Sequence, residues 1–253
     1  MKKTRERLLA VLELVADSKQ ALRLSDIAKT LELAPASAHN LLRRLTDAGY
    51  LERFGIERRY RVGHRTVQLC VRVLDGIDVV RVARPLIEEL ATRIREDVYL
   101  ALPRPDGIAY TSKVDGSEGL RLDVALGMPR PLHCTAVGKL YLAMQSALWL
   151  TRYFETTTLE RFTPATITQP ALLRQAIEEI RKRGYALSNE ETNVGVCSAS
   201  VPIFDAHSRF EAAITVAVPI RRFQMHGEMF IAEVMTTARS VSALLGRPAE
   251  GAA

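Results

Sequence analysis

The sequence predicts an α+β fold in two parts, a winged helix-turn-helix followed by helices gathered around an antiparallel sheet. Three observations carry that prediction. Residues 1–64 place three apolar-striped helical patterns ahead of two short alternating runs. From Val98 onward, period-two runs alternate with helical ones. The excess positive charge lies wholly in the first third.

That charge split gives a first indication of function. The 253 residues carry 35 Lys+Arg and 29 Asp+Glu, net +6. Residues 1–72 hold 15 and 8 of these, net +7, which leaves 20 and 21, net −1, for residues 73–253. A basic head on a near-neutral body points to nucleic acid at one end and a different task at the other. Intrinsic disorder and collagen-like repeats are excluded by 47% hydrophobic residues and by scattered glycines and prolines. No stretch approaches the roughly 18 apolar residues of a membrane span, so no membrane partner is expected. Cys70, Cys134 and Cys197 form no CxxC pair, which fits a reducing, cytoplasmic setting. The basic then apolar N-terminus is interrupted by Glu6, Glu13 and Asp17 and reads as a retained helix, not a signal peptide.

The first helix, Arg5 to Ala16, gathers Leu8, Leu9, Val11, Leu12 and Val15 into one stripe. Ser25 is placed to cap a second helix from Asp26 to Leu31. After the break Glu32-Leu33-Ala34, Pro35 takes the first position of a third helix. On that helix Ala38, Leu41, Leu42, Leu45 and Ala48 fall on one side, and Ala36, Asn40, Arg43 and Asp47 centre on the other. An outward face that is small, amide-bearing and cationic suits major-groove entry, since Asn can pair bidentately with adenine and Arg with guanine. Ser37, His39 and Arg44 flank the face and can hold phosphates, helped by the helix-start amides. Gly49 ends the helix. Tyr50 to Arg53 and Arg59 to Val62 then read as a hairpin, or wing, whose Arg53, Arg58, Arg59 and Arg61 suit sequence-independent contacts.

A helix over Thr66 to Leu74 and another over Val79 to Glu96, with Pro85 in its early turns, are expected to connect the head to the body. Strands follow at Val98 to Leu102 and Ile108 to Thr111 about Pro105-Asp106-Gly107, with a third at Leu120 to Leu126. CTAVGKLYLAMQ after His133 reads as a helix, whose starting amides at Thr135, Ala136, Val137 and Gly138 can face an anion. Trp149, Tyr153 and Phe154 pack in the next helix, Pro170 opens another that Gly184 closes, and strands Tyr185 to Ser188, Val196 to Phe204 and Phe210 to Pro219 lead to a last helix, Phe223 to Leu245.

The stretch LSDIAKTLELAPASAHNLLRRLTDAGYLER, followed by RYRVGHRTVQL, resembles the DNA-binding end of the IclR family of bacterial transcriptional regulators. Asn40 stands where that family commonly has Arg, so the family's base preference does not carry over. PLHCTAVGKLYLA from Pro131 and RGYALSNEETNVGVCSASVPIFD from Arg183 resemble the two signature stretches of its effector-binding domain. The resemblance implies a GAF-like, ligand-sensing C-terminal domain and assembly into homodimers or tetramers. It divides the chain into a reading head at 1–64, a linker helix at 65–77 and an effector domain at 78–250. The pocket positions it implies fall on Leu122, Ala136, Val137, Ser188, Val196, Ser198, Thr215 and Ala217, beside His133, Thr135 and Gly138 at the helix start. Ser188 replaces a common acidic residue there, and Ser198 a frequent Cys, which here sits one place earlier as Cys197. Arg121 and Arg130 are either partners for a carboxylate or solvated charges.

Enzyme readings are weak. GxSxG, HExxH and GxGxxG are absent, and in the stretch ending Gly138-Lys139 His133 replaces the first glycine of a phosphate loop and Leu140 its Ser/Thr. Cys134 and His133 are adjacent, so on a helix they would not face each other. No catalytic residue, metal site or cofactor is expected. The expectation is a regulator that binds a pseudo-palindromic site in double-stranded DNA and responds to a small aliphatic or aromatic carboxylate. The competing readings are a small-molecule-processing enzyme with a basic accessory domain and an architectural DNA binder without sequence preference.

Overall fold

The computed structural model describes residues 2–18, 20–55, 57–75, 78–117 and 124–248. The chain forms two compact units, Met1–Gly76 and Ile77–Ala253.

In the N-terminal unit, α1 (Lys2–Asp17), α2 (Leu24–Thr30) and α3 (Pro35–Asp47) precede the antiparallel strands β1 (Leu51–Phe54) and β2 (Arg59–Val62) and a further helix, α4 (His64–Asp75). The apolar stripes meet in one core of Val11, Val15, Ile27, Leu41, Leu42, Leu45, Leu51 and Tyr60. Pro35 opens α3 as expected, and beyond its end Gly49 turns left-handed at φ +76. Ser25 does not cap α2. The helix begins one residue before it, and its hydroxyl donates to Asp26 instead. The Asp26 carboxylate accepts from the Arg23 backbone amide at 3.4 Å, so the acid three residues on holds the helix start. Leu22 pairs with Tyr60 through two backbone bonds of 2.9 and 2.7 Å, which fastens the segment before α2 to the wing.

The C-terminal unit is built on a five-stranded antiparallel sheet in the order β4-β3-β7-β6-β5. Its strands are β3 (Val98–Arg104), β4 (Gly107–Val114), β5 (Ala186–Asn189), β6 (Val196–Phe204) and β7 (Phe210–Pro219). Helices α5 (Val79–Ile94) and α9 (Ile220–Leu244) cover one face, against Leu100, Val201, Ile214 and Val216. Helices α6 (Ala136–Ala143), α7 (Ala147–Thr156) and α8 (Pro170–Arg183) cover the other, against Tyr99, Ala101, Tyr110, Ala213 and Ala217. Because both faces are covered, β7 is buried over seven consecutive residues, which is why AAITVAV lacks alternation. The chain leaves α5 at Arg95, which adopts φ +63 and turns it into β3 two residues before the expected end.

The expected third strand at Leu120 to Leu126 lies mostly outside the described residues, and Val124 to Leu126 are not in a strand. The pairing occurs later in the chain. The Gly127 amide donates to the Tyr110 carbonyl at 2.7 Å and the Arg130 amide to the Ile108 carbonyl at 2.8 Å, with a single bridge between Ala109 and Pro129. This irregular run covers the outer edge of β4 and delivers Arg130 to the sheet.

All eight residues of α6 are buried. Thr135 caps the helix by accepting from the Gly138 amide at 2.9 Å, while its hydroxyl donates to the Pro131 carbonyl. A Cβ on Gly138 would lie 2.4 Å from that carbonyl oxygen, so only glycine fits. Lys139 is buried too, and its ammonium is ion-paired with Glu191 of the loop between β5 and β6. Burial pulls the Lys139 pKa down and pushes that of Glu191 up, and the pairing opposes both shifts. The same loop is held by Thr163 and Thr166, whose hydroxyls donate to the carbonyls of Glu190 and Glu191, each at 2.7 Å. Replacing Glu191 by Ala leaves a buried ammonium without its partner and should cost about 3–5 kcal/mol in urea unfolding. The paired replacement Lys139→Met with Glu191→Leu should be more stable than either single variant, and a double variant as weak as the worse single would contradict this account.

Candidate functional site

On α3 the outward side chains are those the helical period assigns. Ala36, His39, Asn40, Arg43 and Arg44 are exposed and Ser37 is half-buried. Asn40 and Arg43 are not independent, because the Arg43 guanidinium donates to Asn40 Oδ1 at 3.2 Å across one turn. The helix start offers fewer amides than expected. Pro35 has none, and those of Ser37 and Ala38 already donate to the Ala34 carbonyl.

The wing presents Arg53, Arg58 and Arg61 as exposed cations, with Arg59 half-buried. Three of them are engaged within the unit, Arg53 lying 5.8 Å from the centroid of the Tyr60 ring. Arg61 pairs with Glu52 at 2.5 Å across the hairpin and its guanidinium lies 4.2 Å over the Phe54 ring. Arg59 and Arg23 converge on Glu57, at 2.7 and 2.8 Å. The hydrogen bonds from Arg23 and Arg59 hold the Glu57 carboxyl below its ordinary pKa, so it stays ionised across the neutral range. Ser25 is exposed at the start of α2. Sequence reasoning missed Arg23 because its partner lies 34 residues away, beyond the reach of any local pattern.

In the C-terminal unit a pocket opens between the sheet and the two signature stretches. Thr135, Ser188, Val196, Ser198 and Ala217 line it, five of the expected positions. Register explains the grouping, since Ser188, Ser198 and Ala217 are direct cross-strand neighbours on β5, β6 and β7 and form one row. Thr215 lies in the next row and below the pocket. It is fully buried, 2.6 Å from the Ser200 hydroxyl and hydrogen-bonded to Tyr110. Ala136 and Val137 are buried, Val137 among the residues of the core, and Gly138 is the close-packed glycine described above. The Gly138 amide is taken by Thr135, which removes one of the four helix-start amides expected to face an anion. The His133 ring bonds the Glu160 carbonyl at 2.7 Å and packs by Phe162, away from the pocket lining. Leu122 and Arg121 lie outside the described residues.

The remaining lining comes from Tyr99, Tyr110, Val124, Arg130, Thr192 and Asn193. Tyr99 and Tyr110 sit on the inward face of β3 and β4 with ring centroids 4.9 Å apart, and the Arg130 guanidinium lies 5.7 Å from the Tyr110 ring. Among the described residues, Tyr99 Oη and Arg130 Nε are buried without a hydrogen-bond partner. Burial pushes the Tyr99 pKa up to about 12, so its hydroxyl keeps its proton and remains a donor. The hydroxyls of Ser188 and Thr192 both donate to the Cys134 carbonyl, at 2.7 and 3.1 Å, which ties β5 and the 190–195 loop to the segment before α6. Thr192 and Asn193 lie within the second signature stretch. The tyrosines were legible only as strand residues, because inward alternation does not distinguish a pocket wall from core.

The Cys134 and His133 pair is not a nucleophile and base. Burial raises the Cys134 pKa to about 11, which keeps the thiol protonated, and the His133 ring faces Glu160. Among the described residues no three His, Cys, Asp or Glu side chains are grouped to hold a metal, and no helix is long and apolar enough to cross a membrane.

Comparison with known proteins matches both units. Residues 5–54 match the IclR helix-turn-helix domain, and residues 71–243 match the bacterial transcriptional regulator IclR C-terminal domain. The chain is 33% identical over 217 residues to the HTH-type transcriptional regulator BhcR of Paracoccus denitrificans, covering 86% of this chain and 77% of that protein. It is 31% identical over 246 residues to the glycerol operon regulatory protein of Streptomyces coelicolor, covering 95% of each. The fold is shared with the crystal structure of the repressor BlcR of Agobacterium tumefaciens, at a TM-score of 0.85 and 22% identity over 96% of this chain and 97% of that one. The chain is therefore a DNA-binding transcriptional regulator of the IclR family, with an effector domain and not an enzyme's active site at its C-terminal end.

Proposed function

We propose that this regulator binds a pseudo-palindromic operator as a homodimer or a pair of dimers, and that a small organic carboxylate in the C-terminal pocket controls its affinity for DNA. In this reading residues 1–64 form the head, 65–77 the connection and 78–250 the effector and assembly domain. A two-fold dimer presents two α3 helices, so its half-sites lie about one helical turn or a multiple apart. The observation that carries the carboxylate is the pair of buried polar atoms, Tyr99 Oη and Arg130 Nε, in one pocket beside Ser198. An unpartnered buried donor is costly, and a carboxylate accepts from both. Guanidinium and phenol supply these donors.

The enclosed space is only about 50 Å³, near the volume of one or two waters. A multi-carbon acid therefore enters by displacing the walls, among them the 190–195 loop and the run that carries Arg130. That displacement distinguishes the bound from the free state, and only such a difference lets a ligand change DNA affinity.

Genomic-fragment binding at physiological salt, repeated with a panel of aliphatic and aromatic carboxylates, tests the reading. The expected result is one dyad-symmetric footprint altered by one class of acid, and diffuse binding indifferent to every acid would overturn it. Arg130→Ala should weaken that acid roughly 10- to 100-fold, the loss of a charge-assisted hydrogen bond, while DNA binding without acid is unchanged. Arg43→Ala should relax base preference at one position of each half-site. Arg59→Ala should weaken all sequences alike and reduce the salt slope by about one. Glu57→Gln should do the reverse, releasing Arg23 and Arg59 to DNA phosphates, so binding to all sequences should tighten and depend more steeply on salt. An unchanged slope in both wing variants would remove these arginines from the interface.

A further inference from the structure

Beyond Ser200, the last β6 residue paired with β5, the strand continues through Val201, Pro202, Ile203 and Phe204 with only β7 beside it. A groove of about 370 Å³ runs along this free edge. The end of α8 borders it with Arg181, Lys182 and Arg183, and α9 and the residues after it contribute Arg239 and Arg247. Among the described residues no carboxylate lines it.

Two of these cations are held in place by backbone carbonyls. Arg181 donates to the carbonyls of Ala143 and Gln145 and also pairs with Glu178, and Arg183 donates to the Tyr185 carbonyl. Arg247 lies 4.3 Å over the Phe204 ring. Lys182 and Arg239 are exposed and make no hydrogen bond or ion pair among the described residues. The dipole at the end of α8 accounts for cations in its last turn. It does not account for Arg239, within α9, or for Arg247, which reach the groove from another element.

The groove does not suit an added strand. Pro202 has no amide hydrogen, and the Phe204 amide already donates to Ser242 Oγ at 3.0 Å. It suits a compact anion with an apolar portion, because Pro202 and Phe204 form an apolar floor between guanidinium groups whose planar forks match phosphate oxygens. We propose that this groove is a second small-molecule site, separate from the carboxylate pocket, that takes a phosphate ester with an apolar body. Lys182 and Arg239 hold the phosphate and Phe204 packs the body.

The test uses the full-length protein and two probes, phenyl phosphate and inorganic phosphate, titrated by calorimetry at constant ionic strength. Saturable binding of phenyl phosphate, tighter than inorganic phosphate, is expected. It should weaken at least about tenfold in Lys182→Glu/Arg239→Glu, the size of one lost charge-assisted contact. Arg130→Ala should leave it unchanged, which separates this site from the carboxylate pocket. Because both replaced side chains are exposed, the double variant should keep the thermal midpoint of the parent, and DNA binding without phosphate confirms its fold. Absence of saturable binding, or equal binding by the double variant, overturns the site. Equal affinity for the two probes overturns the role of Phe204 and the apolar floor.

Discussion

The C-terminal unit depends on one constraint: α6 is buried along its whole length, so every polar group on it must find a partner inside the protein. Thr135 answers for the first turn by capping Gly138, and Glu191 answers for the Lys139 ammonium. The cap is local, its hydroxyl reaching the Pro131 carbonyl four residues back, whereas the ion pair draws the loop after β5 onto the helix. Two segments that look independent in the sequence are thus joined by the same requirement, and the pocket opens where they meet the sheet. A wall made this way can move only if the loop moves with its anchor, which gives a ligand leverage over more than its own contacts.

The reading head is governed by a different balance. Its charges are at the surface, where water screens an ion pair and leaves it weak. Glu52 and Glu57 hold wing arginines in place without binding them strongly, and phosphates can displace these carboxylates at small cost. Specific and non-specific terms are then separable. In the proposed reading Asn40 and Arg43, linked to each other on α3, would face the bases, while Arg59, with Arg23 beside it on Glu57, would supply affinity that falls with salt.

Much of the fold was legible wherever the sequence contains its own punctuation. Pro35 and Gly49 bracket α3, Pro170 and Gly184 bracket α8, and the strands β6 and β7 follow their apolar runs. Legibility failed where tertiary partners decided. Ser25 looks like a cap, yet Asp26 takes the role because Leu22 is pinned to Tyr60 and the helix starts earlier. The third strand expected near Leu120 has no counterpart at Val124 to Leu126, and the pairing falls at Gly127 to Arg130, where turns leave no alternating pattern. The pocket was half legible for the same reason. Positions on adjoining strands, such as Ser188, Ser198 and Ala217, follow from family motifs and register, whereas Arg130 needed the fold to bring it to Tyr110. One expected donor at the helix start, the Gly138 amide, was lost to a side chain, Thr135, whose capping role is itself written in the sequence but competes with the ligand role assigned to the same turn.

The two cationic features of the C-terminal unit differ in what an anion would do there. At Arg130 a ligand meets unpartnered donors in a space too small for it, so binding energy is divided between contact and displacement, and the displaced walls report occupancy. At the β6 edge the groove is already open and Lys182 and Arg239 are already exposed, so an anion there would gain mainly by relieving repulsion among like charges and would move little. A site of the first kind would serve as a switch, because its walls must move for the ligand to enter, whereas one of the second kind would hold its ligand with little change in the fold.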